Sequence, residues 1–488
     1  MSITTNVPNN LERPQTFHVF NYLNAGGALV SIPLTVALIG TMAASGTAVA
    51  GTVYDVGESA QTDALFGVNS ELAIACRAAN AATTLFQRGP RVKAVPIAEP
   101  GAGVANVKTV TAVGTATADG NAIVKIAGRT VIVGIRVGDA QNTVAASLHA
   151  AAQAIIETLP VRPTVATNVV TLTHPTKGIN GTNIIVTVEQ QVAGVVLTVA
   201  NTVVGSGVAD HQVALTALSP LRYDGIAFAN HAAADITQIL TDIATRWSAS
   251  SKTWGYYFIG EPGTIGTATS LAAAANHQSV IVANFEGCLN TAAEIAAVTA
   301  VLVFSRERAN ASYDRATVPL FPPAAAVLYT GPEVETAIAA GLTVFTGVID
   351  STGAVTQNRA RVERLVTSKT TTGGQPDKRN RDIAVSRVGI EIAIQLDIAS
   401  EQALGADANP DGITQEDSDD LIKDLAAAIL RAEARAKVIS QRLVEADVAA
   451  IQLEHDPVST GRTNVLIPYH PALPLHQIAW VHNVLIGT

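Results

Sequence analysis

Between residues 223 and 349 four apolar runs, "YDGIAFAN", "WGYYFIG", "SVIVANF" and "LTVFTGVID", are separated by segments of helical period. In "AADITQILTDIATRW" the residues Ile236, Ile239, Leu240, Ile243 and Trp247 share one helical stripe. "TATSLAAAANH" and "NTAAEIAAVTAVLVFSRER" read as further helices. A strand apolar throughout is buried on both faces, and a helix between two such strands carries a parallel crossover. The same alternation opens the chain: "PLTVALIG" (33–40), the helical "SELAIACRAANAATTLF" (70–86), then "VKAVPIA" (92–98). This pattern predicts a mainly parallel sheet with helices on both faces.

Residues 100–213 interrupt it. Short Val/Ile/Thr runs ("NAIVKIAGRTVIVGIRVG", "NVVTLTHP", "TNIIVTVEQ", "GVVLTVANT") alternate with Gly, Asn and Asp turns, and one helix, "TVAASLHAAAQAIIETL", lies among them. Because the alternation resumes afterwards, this stretch reads as a small β-rich domain inserted into the α/β region. After residue 356, "RARVERLVTSKTTTGGQPDKRNRD" reads as strand and loop with a Gly-Gly turn. In "IAVSRVGIEIAIQLDIASEQAL" the alternation Ile390, Ile392, Ile394, Leu396, Ile398 favours a strand, but strands rarely exceed about 10 residues, so a helix is expected. Another helix follows, with Ser418 as N-cap, Asp419 and Asp420 in its first turn, a stripe from Leu421 to Leu443 and a Glu433–Lys437 pair.

The chain has 488 residues, enough for two to four domains, and its 48% apolar content rules out global disorder. Net charge is −9, and the densest basic run, "KRNR" (378–381), is too short to track a phosphate backbone, so direct nucleic-acid binding is not expected. The start, "MSITTNVPNNLERP", lacks a secretory pattern, and the apolar stretch 28–51 is broken by Gly and Pro, so no membrane insertion is expected and folding is placed in a cytoplasm.

The motifs of chemistry are missing. No G-x-x-x-x-G-K-[ST] phosphate cradle and no G-x-S-x-G elbow occurs, and "GEPGTIG" (260–266) has the wrong glycine spacing for a dinucleotide loop. His470, His476 and His482 are six residues apart, about 20 Å in extended chain, too far to share a metal. "QEDSDD" (415–420) lacks calcium-loop spacing. No catalytic residue, cofactor or metal is assigned. Two cysteines are too few for a disulfide framework or zinc site. Cys76 lies on a helix's apolar stripe and reads as core, while Cys288 follows a strand in "NFEGCLN"; both are candidate disulfide or contact thiols, Cys288 the more so.

The two ends are unusual. "TFHVFNYL" (16–23) reads as an extended segment ended by "NAGG". The closing "PLHQIAWVHNVLIGT" is apolar on both parities, as a strand inside a sheet would be, although chain ends usually fray. A strand its own domain cannot cover can join a neighbour's sheet, and a heterologous contact of that kind propagates into rings or helical arrays. The residues assigned to such an exchange are Phe17, Val19, Phe20 and Tyr22 at one end, and Ile478, Trp480, Val481, Val484, Leu485 and Ile486 at the other.

Taken together, the segments 32–81, "TATADGNAIVKIAGRTVIVGIRVGDAQNTVAASLHAAAQAI" (115–155), 223–247, "PEVETAIAAGLTVFTGVIDSTGAVTQNRARVERLVTSKTT" (332–371) and "GRTNVLIPYHPALPLHQIAWVHNVLIGT" (461–488) resemble the sheath proteins of contractile phage tails, of the Mu-like myovirus type. The resemblance spans nearly the whole chain and rests on the order of many weak motifs. It implies an α/β multidomain fold: a core α+β sheath domain with exchanged N- and C-terminal strands, and an α/β middle domain with an inserted β-rich domain. The implied divisions are an arm (1–30), the middle (31–99 and 214–355), the insert (100–213, surface display) and a C-terminal core with its arm (356–488). It also implies a homo-oligomer, a helical stack of hexameric rings around a tail tube protein, bounded by baseplate and tail terminator proteins. Such a sheath is assembled in the host cytoplasm, becomes part of the virion, and shortens to drive the tube through the host envelope. Bends are expected at "NAGGA" (24–28) and "PYHPALP" (468–474). The terminal "VHNVLIGT" is less charged than in familiar relatives. Two rival classes share parts of this pattern: the sheath of a bacterial contractile machine, such as a tailocin or secretion system, and an α/β enzyme.

Overall fold

The structure, a computed structural model, describes residues 33–228, 232–248, 250–306, 308–324, 328–350, 352, 354–377, 379–404, 415–455 and 463–472. The described residues divide into two compact units, 33–387 and 388–472, each taken by itself.

The larger unit opens with β1 (Thr35–Thr41), the short β2 (Tyr54–Asp55), α1 (Ser59–Phe66), α2 (Glu71–Phe86) and β3 (Arg91–Ile97). The side chain of Ser70 caps α2 by accepting from Ala73 N, and the helix stops where Gln87 turns left-handed at φ 54°.

A β-rich stretch follows: β4 (Val107–Gly114), β5 (Gly120–Ile126), β6 (Arg129–Ile135), α3 (Gln141–Ala154), β7 (Arg162–Ala166), β8 (Val169–Thr173), β9 (Val186–Gln190) and β10 (Val195–Val203). Its strands form two small antiparallel sheets, ordered β10-β4-β8-β7 and β6-β5-β9. They enclose a core of their own that includes Val110, Val124, Val131, Leu148, Leu172 and Leu197. Chain enters and leaves at one place, where Val104 and Ser206 exchange backbone hydrogen bonds of 2.9 and 3.0 Å. Gly207 packs so closely on Gly103 that a Cβ there would come within 2.8 Å of the Gly103 Cα.

Alternation then resumes with α4 (Gln212–Leu218), β11 (Gly225–Phe228), α5 (Ala233–Arg246), β12 (Tyr256–Glu261), α6 (Ile265–Ala275), β13 (Val280–Asn284), α7 (Ala292–Phe304), β14 (Thr317–Val318), α8 (Gly331–Ala339), β15 (Leu342–Ile349) and β16 (Val355–Arg364). One nine-stranded sheet results, ordered β14-β16-β15-β13-β12-β11-β1-β3-β2. The six strands from β15 to β3 are parallel, as their runs predict, and antiparallel strands close both edges. One face carries a core of Ile39, Phe228, Ile239, Tyr257, Val282 and Val344 under α4, α5, α6 and α8. On the other face α7 packs on β11 and β12, and α2 on α7 and β1. Every residue of α7 is buried, as befits a helix apolar all round. Gly260 lets α7 approach β12, since a Cβ there would lie 2.1 Å from the Ala292 carbonyl oxygen.

β16 departs from the sequence reading, which begins the C-terminal section at residue 356. This strand instead pairs with β15, and the larger unit runs to residue 387. β17 (Thr371–Thr372) and β18 (Gln375–Pro376) flank the expected Gly-Gly turn, with Gly373 and Gly374 both at positive φ.

α9 (Ile383–Leu404) is a helix despite its alternating isoleucines. In the smaller unit, α10 (Gln415–Arg435) already includes Ser418, so Ser418 is not its N-cap. α10 also ends before the expected stripe does: Lys437 lies at φ 61°, and the helical spacing Glu433–Lys437 is lost. α11 (Val444–Ala449) and the hairpin β19 (Gln452–His455) and β20 (Thr463–Leu466) follow. Ser440 N donates to His470 O at 2.8 Å and Ala472 N to Val438 O at 3.0 Å, so 470–472 are pinned where a bend is expected.

Candidate functional site

An open parallel sheet offers a ligand crevice where its strand order reverses, outside the carboxyl ends of the strands. Here that place lies between β1 and β11, because the chain passes from β1 to β3 on one side and later to β11 on the other. Side chains of the protein fill it. Thr41, the last residue of β1, donates from Oγ1 to Glu71 Oε2 at 2.5 Å and lies 3.4 Å from Thr176 Oγ1. Thr176 belongs to the β-rich stretch, and its carbonyl accepts from His174 Nδ1 at 2.7 Å. All four residues are buried. Burial pushes the His174 imidazole down to about 4, so it is neutral at pH 7. Near the end of β11, His211 Nδ1 sits 3.0 Å from Asp235 Oδ1, with both residues buried.

The ends of β12 and β13 are equally occupied. Asn284 Nδ2 donates to the carbonyls of Glu261 (2.8 Å) and Gly263 (3.0 Å), and Tyr329 hydroxyl donates to Asn284 Oδ1. The loop "GEPGTIG" has amides that a phosphate would need, but they face carboxylates: Gly263 N donates to Glu261 Oε1 (2.6 Å) and Ile265 N to Glu286 Oε2 (3.1 Å). Negative charge already fills the place of an anion.

The β-rich stretch also grips these strand ends. Arg129 Nη2 lies 2.5 Å from Glu294 Oε1 in the first turn of α7, and its guanidinium stacks 5.0 Å from the centroid of Phe321. Gly128, at φ 77°, packs on Phe321 and Leu289. Arg162 Nη2 donates to Ser45 Oγ (3.1 Å) and to the Val68 carbonyl (3.3 Å). Nothing in the sequence flags these residues, apart from a polar Thr41 closing an apolar strand. Among the described residues no group of three or more His, Cys, Asp and Glu could hold a metal, and no helix is long and apolar enough to cross a membrane.

The assigned thiols are core residues. Cys76 and Cys288 are both free and fully buried, and Cys288 Sγ donates to the Phe321 carbonyl at 3.4 Å. Burial pushes both thiols well above their usual range. Neither offers a surface contact in this fold. His470 is exposed and lies 2.7 Å from Asp447. The exchange residues Phe17, Val19, Phe20, Tyr22, Ile478, Trp480, Val481, Val484, Leu485 and Ile486 fall outside the described residues, as do His476 and His482.

The geometry therefore defines a mixed α/β protein with a large mixed sheet; side chains of the β-rich stretch meet its carboxyl edge at Thr41 and Glu294, and cavities of about 470 and 400 Å³ remain beside Ile97 and Pro262. A sheath tail protein from Listeria innocua shares this fold, with a TM-score of 0.52 at 15% identity over 92% of this chain and 96% of that one. A sheath tail protein from Desulfitobacterium hafniense aligns with a TM-score of 0.48 at 16% identity, over 94% of this chain and all of that one. No protein-family profile matches the chain. In sequence the chain is a homologue of the Mu-like prophage FluMu tail sheath protein of Haemophilus influenzae, 28% identical over 278 residues. That match covers 56% of this chain and 56% of the relative's length. The resemblance to phage tail sheath proteins thus stands on a named relative in sequence.

Proposed function

We propose that this chain is the structural subunit of a contractile tail sheath. The observation that carries the reading is its homology to a Mu-like prophage tail sheath protein. Copies polymerise as stacked hexameric rings around a tail tube, between baseplate and tail terminator, and their contraction drives the tube through the host envelope for genome delivery. The subunit is assembled in the host cytoplasm and remains in the virion.

In this reading the N-terminal arm (1–30) and the C-terminal section (356–488) form the core sheath domain. Phe17–Tyr22 and Ile478–Ile486 add strands to sheets of adjacent subunits. Each added strand offers several main-chain hydrogen bonds of about 0.5–1.5 kcal/mol net, and many such links act together. Negative-stain microscopy of the purified full-length chain tests the proposal: long tubes or hexameric stacks are expected, and a monomer that never assembles would overturn it.

A further inference from the structure

In the larger unit, α2 and α7 pack side by side and end near one another, and a groove of about 570 Å³ lies there. Leu85, Phe86, Arg88, Arg306 and Arg308 are among the residues that line it. All three arginines are exposed. Arg88, Arg306 and Arg308 outnumber the one carboxylate of this stretch, Glu307, so the groove gathers positive charge on a chain of net charge −9.

The matching charge lies at the start of α10. Residues 415–424 hold Glu416, Asp417, Asp419, Asp420 and Asp424 against the single Lys423. A helix N-terminus carries only about half a positive charge, so five carboxylates exceed what it can stabilise. Asp420 and Asp424 are both exposed and stand one turn apart, where like charges repel.

We propose that the groove of Arg88, Arg306 and Arg308 docks the acidic start of α10 from a second copy of this chain. The inference rests on the reading of the chain as an assembling subunit. Guanidinium forks hold carboxylates through paired N–H donors, and the lining Leu85 and Phe86 offer apolar contact to the adjoining helical surface. The contact is heterologous, groove on one copy and helix on the next, so it repeats along an array and leaves a groove free only at its end.

The test uses the full-length chain, with sedimentation and negative stain over a range of concentration and salt. Arg306→Glu with Arg308→Glu should raise the concentration needed for assembly at least tenfold, as should Asp420→Arg with Asp424→Arg. The fourfold variant, with both charges reversed, should return to within about threefold of wild type. Added salt should raise the wild-type threshold, since exposed pairs are screened over a Debye length of about 10 Å at 0.1 M. Should a reversal unfold the chain, Arg306→Gln with Arg308→Gln gives a smaller shift of the same sign. Wild-type thresholds in the arginine variants would overturn the proposal, and so would a fourfold variant that stays unassembled. A wild-type chain that never assembles would instead remove the sheath reading itself.

Discussion

The carboxylate of Glu294 binds two partners at once: Oε1 lies 2.5 Å from Arg129 Nη2, and Oε2 accepts from Thr291 N at 2.8 Å. One side chain thereby caps α7 and fastens the β-rich stretch to the parallel sheet. Glu294 is 4% exposed in its side chain and Arg129 16%, so the pair is poorly screened. Glu294→Ala removes the reciprocal half of the capping box, while Thr291 still caps from its hydroxyl, and leaves the Arg129 guanidinium partly buried without its carboxylate. A loss of roughly 2–4 kcal/mol is expected, read as a lower urea midpoint. Glu294→Gln should lose less, because its carbonyl oxygen still accepts from Thr291. Equal losses would show that charge, not capping, dominates.

Gly260 sits where no side chain fits. A Cβ would meet Ala292 O at 2.1 Å and Ala296 N at 2.8 Å, both backbone atoms that cannot swing aside. Gly260→Ala therefore has to push α7 off β12, at a cost of about 1–3 kcal/mol. Thermal unfolding of the purified variant checks this, and an unchanged midpoint would contradict the close approach.

Glu433 is fully buried, and neither carboxylate oxygen has a hydrogen-bond partner among the described residues. Burial, and then the nearby Glu391, push its carboxyl from the ordinary 4.5 up to about 7. The folded chain therefore holds a proton that the unfolded chain has released between those values, and stability falls as pH rises through that window. The fall levels off above about pH 7 at roughly 3 kcal/mol or less. Glu433→Gln should flatten this dependence and be more stable than wild type at pH 8. Denaturant midpoints at pH 5 and pH 8 for both chains measure the difference.

Cys76 and Cys288 should ignore thiol reagents in the native state, since a buried protonated thiol is a poor nucleophile. Two thiols per chain should titrate only after denaturation, and gels with and without reductant should show the same monomer band. Rapid native labelling of either cysteine would mean that the surrounding packing opens.

The strand exchange proposed for the termini predicts a separation of folding from assembly. Deleting Gln477–Thr488, or the residues before Asn24, should leave the far-ultraviolet circular dichroism of a folded chain and abolish tubes. Normal tubes from either truncation would dismiss the exchange.

The parallel sheet is legible because strands such as Tyr256–Glu261 are buried on both faces, which leaves an unbroken apolar run in the sequence. α9 is harder, since Ile390 to Ile398 alternate like a strand, and only the length of the run points to a helix. The end of α10 is not legible at all: the apolar period continues past Arg435, while Lys437 turns left-handed for backbone reasons no periodicity records. The contacts across the carboxyl edge are hidden for another reason. Thr41 meets Thr176 across 135 positions and Arg129 meets Glu294 across 165, and each residue alone is unremarkable in type. Pattern reading reports local periods, whereas these pairs exist only through topology.

Val104 and Ser206 make a single doorway for everything between them. Exchange of the intervening hundred or so residues would leave the threading of the nine strands untouched, so this part of the chain is free to diverge in outward shape. Deletion is another matter, because Thr41 would lose Thr176 and Glu294 would lose Arg129. Any descendant that discards the module has to fill that edge with something else, and the polar side chains stranded there would mark where it once sat.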